Sequence, residues 1–403
     1  MNINELKFSI LCDDEFENFA KNHPLNNFFQ SIYMKKLLES LNRDVYLVGL
    51  KDKSEKIICA TLLVNTNTFL HHHTYEALKG YLIDYSNEKL VRYFTKKVIK
   101  FIKAIDGFRL IIDPYIIRQE KDVDGNLVEH GIDNTYVIDY LECMNFHEIK
   151  NNQVKLTFVL NTNKSFDKVF REFKPNTRNI INKTINKYKL IIEELPYERL
   201  DEFKKITQET CLRRNFKDRE LSYYQMMYKI FKDKIKVLIC KLDLTIYLKE
   251  LLNEKKALEE KLNTNNDKKK KKVISDLNSI DKKIKEINEL NKKYKRYIIL
   301  SGAMFILYGD EVVYLFSGSY EEFMKFNGQY RLQYEMIKYA CDNNYKRYNF
   351  YGIKDATDKD GIYEFKKGFN GYVEELLGSY EVGISLIYKV YKLLCNIKKR
   401  FKK

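Results

Sequence analysis

Ile235-Lys-Val-Leu-Ile-Cys-Lys241 and Tyr297-Ile-Ile-Leu-Ser-Gly-Ala-Met-Phe-Ile-Leu307 are two apolar, β-branched runs that predict the strands of a hairpin. Between them, from Leu242 to Arg296, leucines and isoleucines stand three and four apart among lysines and glutamates. Leu244, Leu248, Leu251, Leu258 and Leu262 fall near one helical face, and Val273, Leu277, Ile280, Ile284 and Ile287 follow the 4-3-4-3 spacing of a coiled-coil seam. Asn263-Thr-Asn-Asn-Asp267 is turn chemistry, so the seam folds back as an antiparallel pair of helices, each roughly 30 to 38 Å long at 1.5 Å per residue. The chain therefore carries a helical arm inserted in a β-turn.

The same order of elements occurs earlier without an arm. Val45-Tyr-Leu-Val-Gly-Leu50, the polar turn Lys51 to Lys56 and Ile57-Ile-Cys-Ala-Thr-Leu-Leu-Val64 predict a hairpin. A helix from about Asn87 to Ile105 leads into Phe108-Arg-Leu-Ile-Ile-Asp-Pro114, a buried strand ending in an acid and a proline. In the second half, Glu311 to Ser319 is a strand, Tyr330 to Asn343 a helix, and Arg347-Tyr-Asn-Phe-Tyr-Gly-Ile353 a strand that mirrors Arg109 to Pro114. Ser9 to Ser40 reads as helical, as do Lys174 to Ile192 and Tyr197 to Phe231 around a strand near Leu190. This order predicts an α/β (α+β) chain of two copies of one unit, with mixed sheets flanked by helices. The expected divisions are 1–153 for the first unit, 154–242 with 297–384 for the second, 243–296 for the arm and 385–403 for a basic amphipathic tail.

A chain of 403 residues with 44% hydrophobic content can build two cores. No apolar run is long enough to span a bilayer, and Met1 to Phe16 is polar and acidic, so a cytoplasmic protein is expected. Seven scattered cysteines have no metal or disulfide spacing and read as reduced thiols, most of them buried. The net charge of +16 is concentrated in two places. Asp243 to Tyr297 carries 16 Lys/Arg against 10 Asp/Glu, and Ser385 to Lys403 carries seven Lys/Arg and no acid. Both appendages suit polyanions such as RNA or an anionic membrane, although solvated lysine-rich helices have the same composition. In the tail, Ile384, Ile387, Tyr391, Leu394 and Ile397 form a stripe with Lys389, Lys392, Lys398, Lys399 and Arg400 largely off it. Contact with the inner leaflet at about 1 kcal/mol per basic residue would suit that stripe, and so would packing on the body.

The chain has no Gly-rich phosphate loop, HExxH or GxSxG. His71-His72-His73 reads as loop histidines, because adjacent residues of an extended segment point in different directions. The specific motifs lie further on: Tyr314-Leu-Phe-Ser-Gly-Ser-Tyr320, Tyr330-Arg-Leu-Gln-Tyr-Glu-Met-Ile-Lys-Tyr-Ala340, Arg347-Tyr-Asn-Phe-Tyr-Gly352 and Tyr363-Glu-Phe-Lys-Lys-Gly-Phe369. These resemble the FemABX family of peptidoglycan-bridge aminoacyltransferases. His23-Pro24 through Phe29-Gln30, Val48-Gly49, Ile112-Asp-Pro114 and Thr210-Cys-Leu-Arg-Arg-Asn-Phe-Lys-Asp-Arg-Glu-Leu-Ser-Tyr-Tyr224 resemble it in the same order, so the resemblance covers nearly the whole chain. The layout, with a coiled-coil arm in the second domain, is similar to the staphylococcal-type glycine-bridge members. The resemblance implies two acetyltransferase-like (GNAT-like) domains.

It further implies transfer of an aminoacyl group, glycine in the staphylococcal type, from aminoacyl-tRNA to the stem-peptide amine of lipid II or a UDP-linked muropeptide, with no cofactor and no metal. Lys366 falls on the lysine of the family's Phe-Lys motif, implied to stabilise the oxyanion or the leaving ribose oxygen, while Lys367 reads as surface charge. Asp113 matches a strand-end aspartate that would orient the amine or take its proton, or else cap the next helix. Arg219 and Tyr223 fall on an Arg-x-x-x-Tyr motif associated with the acceptor's diphosphate; the competing account is that Arg219 caps a helix or pairs with Glu220 or Asp218. Two departures stand out. Leu38 occupies the place of a phosphate-binding lysine, leaving Lys36 within a helical turn of it, and Phe316 replaces a tyrosine, so a hydroxyl there must come from Tyr314 or Tyr320. Two other readings are a non-catalytic RNA-binding module and an acyl-coenzyme A-dependent N-acyltransferase. The Arg219, Tyr223 and Lys366 motifs weigh against the first, and the missing glycine-rich pyrophosphate loop against the second.

Overall fold

The structure, a computed structural model, describes residues 3–150, 153–263, 267–354, 356 and 361–400. Its strands are Lys7–Ile10 (β1), Val45–Lys51 (β2), Ile57–Phe69 (β3), His72–Ala77 (β4), Gly107–Ile112 (β5), Ile117–Lys121 (β6), His147–Ile149 (β7), Leu156–Asn161 (β8), Ile191–Glu194 (β9), Ile235–Asp243 (β10), Tyr297–Tyr308 (β11), Glu311–Ser319 (β12), Arg347–Gly352 (β13), Tyr372–Leu376 (β14) and Ser379–Gly383 (β15). One sheet has the order β1-β2-β3-β4-β5-β15-β7, the other β6-β14-β8-β13-β12-β11-β10-β9. The duplication is visible in these orders. In each unit an antiparallel hairpin, β2-β3 or β10-β11, is followed by an antiparallel third strand, then by a helix, then by a fourth strand parallel to the third. The connecting helices are Glu88–Ala104 and Gly328–Asp342. The first is capped by the Asn87 side chain on the Leu90 amide and buries Leu90, Val91, Phe94, Val98 and Ile102, an apolar stripe at helical spacing.

Two strands depart from the expected divisions. β15, from the end of the second segment, lies between β5 and β7 in the first sheet, with Tyr380 opposite Ile112 and Gly383 opposite Arg109. β6, from the first segment, forms the edge of the second sheet beside β14. The boundaries at 153 and 384 are therefore crossed in both directions. A strand's period reports which face it buries and not which edge it joins, so sequence pattern could not show the exchange. At the N-terminus, Lys7–Ile10 is a strand rather than the beginning of a helical stretch. His72 and His73 open β4 instead of lying in a loop. Of the cysteines, only Cys59, Cys211 and Cys240 are buried, and all seven are unpaired thiols.

The arm is inserted at the tip of the β10-β11 hairpin, as its register shows: Ile235 pairs Ile306 and Asp243 pairs Tyr297. Asp243 fixes both ends, accepting from the Thr245 and Ile246 amides as a helix cap and from Arg296 Nε at 2.9 Å. The arm helices are Leu244–Glu260 and Asp267–Tyr294, and Thr264 to Asn266 of the expected turn lie outside the described residues. All ten expected seam residues are buried or half-buried, whereas Leu252 and Ile274 off the seam are exposed. The arm is not a free projection along its whole length. Leu251, Ile287 and Leu290 belong to the core of the second unit with Tyr188, Tyr247 and Phe326, and only the distal part, with Lys268 to Lys272, stands in solvent. A separate core cluster joins the two units, with Leu47, Leu62 and Val64 of the first sheet packed in one cluster with Ile239, Met304, Ile306 and Val313 of the second.

Candidate active site

β12 and β13 are parallel, and they pair only at Glu311↔Arg347, Val312↔Tyr348 and Val313↔Asn349. Beyond Asn349 the strands diverge, and a cleft of about 690 Å³ opens between Tyr314–Ser319 and Phe350–Gly352. Ligands of open α/β sheets sit at the carboxyl ends of strands for this geometric reason. In the first unit β4 and β5 stay paired to Ala77↔Ile112, and Lys79 with Asp113 closes the corresponding place by an ion pair of 2.7 Å. The second copy is open where the first is shut.

At the floor of the cleft lies Lys366, on the short helix Gly361–Lys367 and only 3% exposed. Its Nζ donates to the carbonyls of Tyr351 at 3.1 Å and Gly352 at 2.7 Å. Tyr351 has φ +62°, a left-handed conformation that a non-glycine residue adopts only when held there. The Asn349 side chain holds it, accepting from the Tyr351 amide at 2.7 Å in place of a strand partner. Tyr330 and Phe365 also line the cleft and pack edge to face on each other, their rings 4.8 Å apart.

The far half of β12 is held from both sides. Thr210 Oγ accepts from the Ser319 amide at 2.9 Å, and Gln329 Nε2 donates to the Gly318 carbonyl at 2.7 Å. A Cβ at Gly318 would lie 2.6 Å from the Ile206 carbonyl, so glycine is needed for the helix Leu200–Arg213 to cross this strand. Tyr314 donates to Gln329 Oε1 at 3.0 Å, and burial pushes its hydroxyl up to about 12, so it is a protonated phenol at neutral pH.

The rim is cationic: Arg213, Arg214, Lys217 and Arg219 surround the exposed ring of Phe216. Among the described lining residues Asp218 is the one carboxylate, and it is engaged by Lys204 at 2.6 Å, Tyr224 Oη at 2.8 Å and Thr207 at 2.9 Å. Burial pushes that carboxyl up, but these bonds outweigh it and hold it below its ordinary value. The same bonds anchor the 214–220 segment. Arg219 lies over the Tyr223 ring at 5.0 Å and, among the described residues, forms no ion pair with a carboxylate. A cation-rich rim with aromatic walls suits an anion attached to a planar group.

Of the residues expected from sequence, Lys366, Arg219 and Tyr314 line this cleft together. Tyr223 is not part of the lining; it is half-buried against Tyr224 and Phe316 and carries Arg219 on its face, while burial raises its hydroxyl. Tyr320 is not among the lining residues and packs on Phe323, which is. Lys36 is exposed on the helix Ile32–Ser40 and does not border the cleft. Asp113 is the main correction. It is 1% exposed, bonded to Lys79 and to Ser379 Oγ at 3.1 Å, and is not among the cleft-lining residues, so the fold does not bring it together with Lys366, Arg219 and Tyr314. Lys367 is not loose surface charge either, being largely buried and paired with Asp124 at 2.9 Å. Tyr330, Tyr351, Phe365 and the cations Arg213, Arg214 and Lys217 were missed. All six lie inside the motif runs quoted above without being singled out there; the three cations around Phe216 had a further signal, a basic cluster about an aromatic, whereas the left-handed backbone of Tyr351 had none.

Comparison with known proteins agrees with this architecture. The FemAB family model matches residues 11–396. Aminoacyltransferase FemA of Staphylococcus epidermidis is 29% identical over 98% of this chain and 100% of its own length, and that of Staphylococcus aureus 28% over the same shares. The crystal structure of FemX, 22% identical, superposes with a TM-score of 0.73 over 96% of this chain and 99% of FemX, a likeness of fold. The chain belongs to the FemAB family and is an aminoacyltransferase.

Proposed function

We propose that the protein moves glycine from a charged tRNA to the stem-peptide amine of a peptidoglycan precursor, lipid II or its UDP-linked counterpart, building the interpeptide bridge. The observation that carries this reading is one cleft that combines a buried ammonium with four cations among its described lining residues. The reaction needs no redox step. The neutral amine attacks the ester carbonyl, a tetrahedral oxyanion forms, the carbon–oxygen bond to the ribose breaks, and the proton lost by the amine ends on the ribose oxygen. Lys366 stabilises the oxyanion or the departing ribose oxygen, since its buried site strengthens the charge it presents. Arg219, held over Tyr223, binds the acceptor's diphosphate through its planar fork. Tyr314 and Tyr330 bound the space where the two substrates meet.

The arm serves the tRNA in this reading. Its base is tied to the segment Glu321–Phe326 by Tyr294 with Glu322 and by Lys325 with Glu286, and Phe323 and Met324 of that segment line the cleft. The distal lysines, Lys268 to Lys272, are exposed, and in this reading they meet the phosphates of the tRNA. A lipid-linked acceptor also places the protein at the inner leaflet. No helix among the described residues is long and apolar enough to cross a membrane, so the contact proposed is peripheral.

The test is to incubate the protein with lipid-linked and UDP-linked precursor and with tRNA charged separately with glycine, serine and alanine, following label into the precursor. Transfer from glycyl-tRNA that ribonuclease abolishes is expected. No transfer from any charged tRNA, or transfer that survives ribonuclease, would overturn the reading.

A further inference from the structure

The tail helix Leu386–Arg400 presents two apolar faces, and among the described residues only one is covered. On the covered side Tyr391 packs against Phe108 at 5.3 Å and Phe69 at 5.5 Å, and Tyr388 Oη and Lys392 Nζ bond to the buried Glu381 at 2.9 and 2.5 Å. This accounts for Tyr391 of the sequence stripe, which is taken up by the body. About half a turn away, Leu386, Val390, Leu393, Leu394 and Ile397 recur at i, i+4, i+7, i+8 and i+11. They are 77%, 45%, 62%, 42% and 40% exposed, a contiguous face with nothing over it among the described residues. Nearby, Leu70 is 62% exposed at the turn that follows Phe69, and an open hollow at the foot of the helix is bordered by His72, Lys103 and Lys389.

We infer that this exposed face, centred on Leu393, docks the protein on an anionic lipid bilayer, with the helix lying in the plane of the surface. The inference deepens the membrane contact proposed above and rests on that reading. An apolar helical face of this size on a closed body marks an interaction surface. Charge selects the occupant: Ser385 to Lys403 carries seven Lys/Arg and no acid, so a second copy would bring two cationic tails together, whereas an anionic leaflet attracts them. Docking through one side of an already anchored helix needs no unfolding of the body.

The full chain is tested by co-sedimentation with phosphatidylglycerol vesicles and with phosphatidylcholine vesicles. Binding to the first is expected to exceed binding to the second by about tenfold or more, and to weaken in high salt. A variant carrying Leu386→Ser, Leu393→Ser and Ile397→Ser, all exposed, should keep its circular dichroism and lose about tenfold or more of vesicle binding. Equal binding by wild type and variant, or no binding by wild type, would overturn the inference. So would a concentration-dependent dimer abolished by the same substitutions. Transfer to a lipid-free precursor separates the two readings, because the variant should match wild type there. Vesicle binding without transfer would sink the proposed reaction alone, and transfer without vesicle binding would sink only the docking surface.

Discussion

Lys79 and Lys366 are both buried ammonium groups at the ends of parallel strand pairs, 2% and 3% exposed, and their surroundings give them different work. Lys79 is paired with Asp113 and donates to the Val154 carbonyl at 2.8 Å, so it ties the strand ends of the first unit to the start of the second. Replacing it by Met leaves Asp113 buried without its partner, which costs about 3 to 5 kcal/mol. Lys79→Met should therefore lower the urea midpoint sharply while kcat per folded molecule stays near wild type. A loss of kcat at unchanged stability would return Asp113 to the chemistry. Lys366→Met should do the reverse, lowering kcat by about a hundredfold with precursor binding kept, as loss of an oxyanion donor does; unchanged kcat would remove it from the site. That Lys366, Arg219 and Tyr314 belong to one candidate site was legible in the sequence because short local motifs carry them, and the three do line one cleft. Asp113 was not, since an acid after a strand looks the same whether the strand pair is zipped or splayed, and that depends on how far β4 and β5 stay paired.

The short helix that carries Lys366 is braced by a segment from the first half of the chain. Tyr363 Oη donates to the Val123 carbonyl at 2.7 Å, Lys367 pairs with Asp124 at 2.9 Å, and Gly125, at φ +82°, lies so close to Ala356 that a Cβ would stand 2.6 Å from it. Tyr363→Phe keeps the buried ring and deletes one hydrogen bond, a loss of about 1 kcal/mol. Because Lys366 lies three residues along the same helix, kcat should fall several-fold with little change in KM. A stability loss without any change in kcat would mean that the brace does not position the lysine. The arm calls for a different cut. Removing Leu248 to Lys292 would strip Leu251, Ile280, Ile287 and Leu290 from the core, so the informative deletion replaces only residues 257–275 by a short turn. That variant should unfold at the wild-type midpoint and show a raised KM for charged tRNA alone; an unchanged KM would leave the distal lysines as a solvated surface. The seam was readable because a 3.5-residue period is local, but how deep the arm is rooted depends on Tyr188 and Phe326, far away in sequence.

The exchange of β15 and β6 makes each sheet depend on the other half of the chain. β15 completes the first sheet from residues 379–383, and the shared cluster of Leu47, Leu62, Met304 and Ile306 replaces a solvated boundary with a common apolar core. Polar groups cross the same junction: Tyr115 Oη donates to Glu311 at 3.1 Å and accepts from Asn349 Nδ2 at 3.2 Å, while within the second unit Asn349 Nδ2 also donates to Glu311 at 3.0 Å and Arg347 grips Glu374 with two bonds of 2.8 Å. Burial pushes the Glu311 carboxyl up, against the pull of Arg347, so this junction relies on hydrogen bonds as much as on charge. Two units joined in this way should unfold as one. The chain has no tryptophan, which allows a single probe to be placed in either unit, Phe101→Trp in the first or Phe166→Trp in the second, both half-buried. The urea midpoints reported by the two probes are expected to coincide, as two-state behaviour requires. A fragment of residues 1–153, which lacks β15 and its share of the joint core, should not fold cooperatively. Two separated midpoints, or a folded fragment, would show that each unit holds its structure without the exchanged strand, and the cleft of the second unit could then open and close independently of the first.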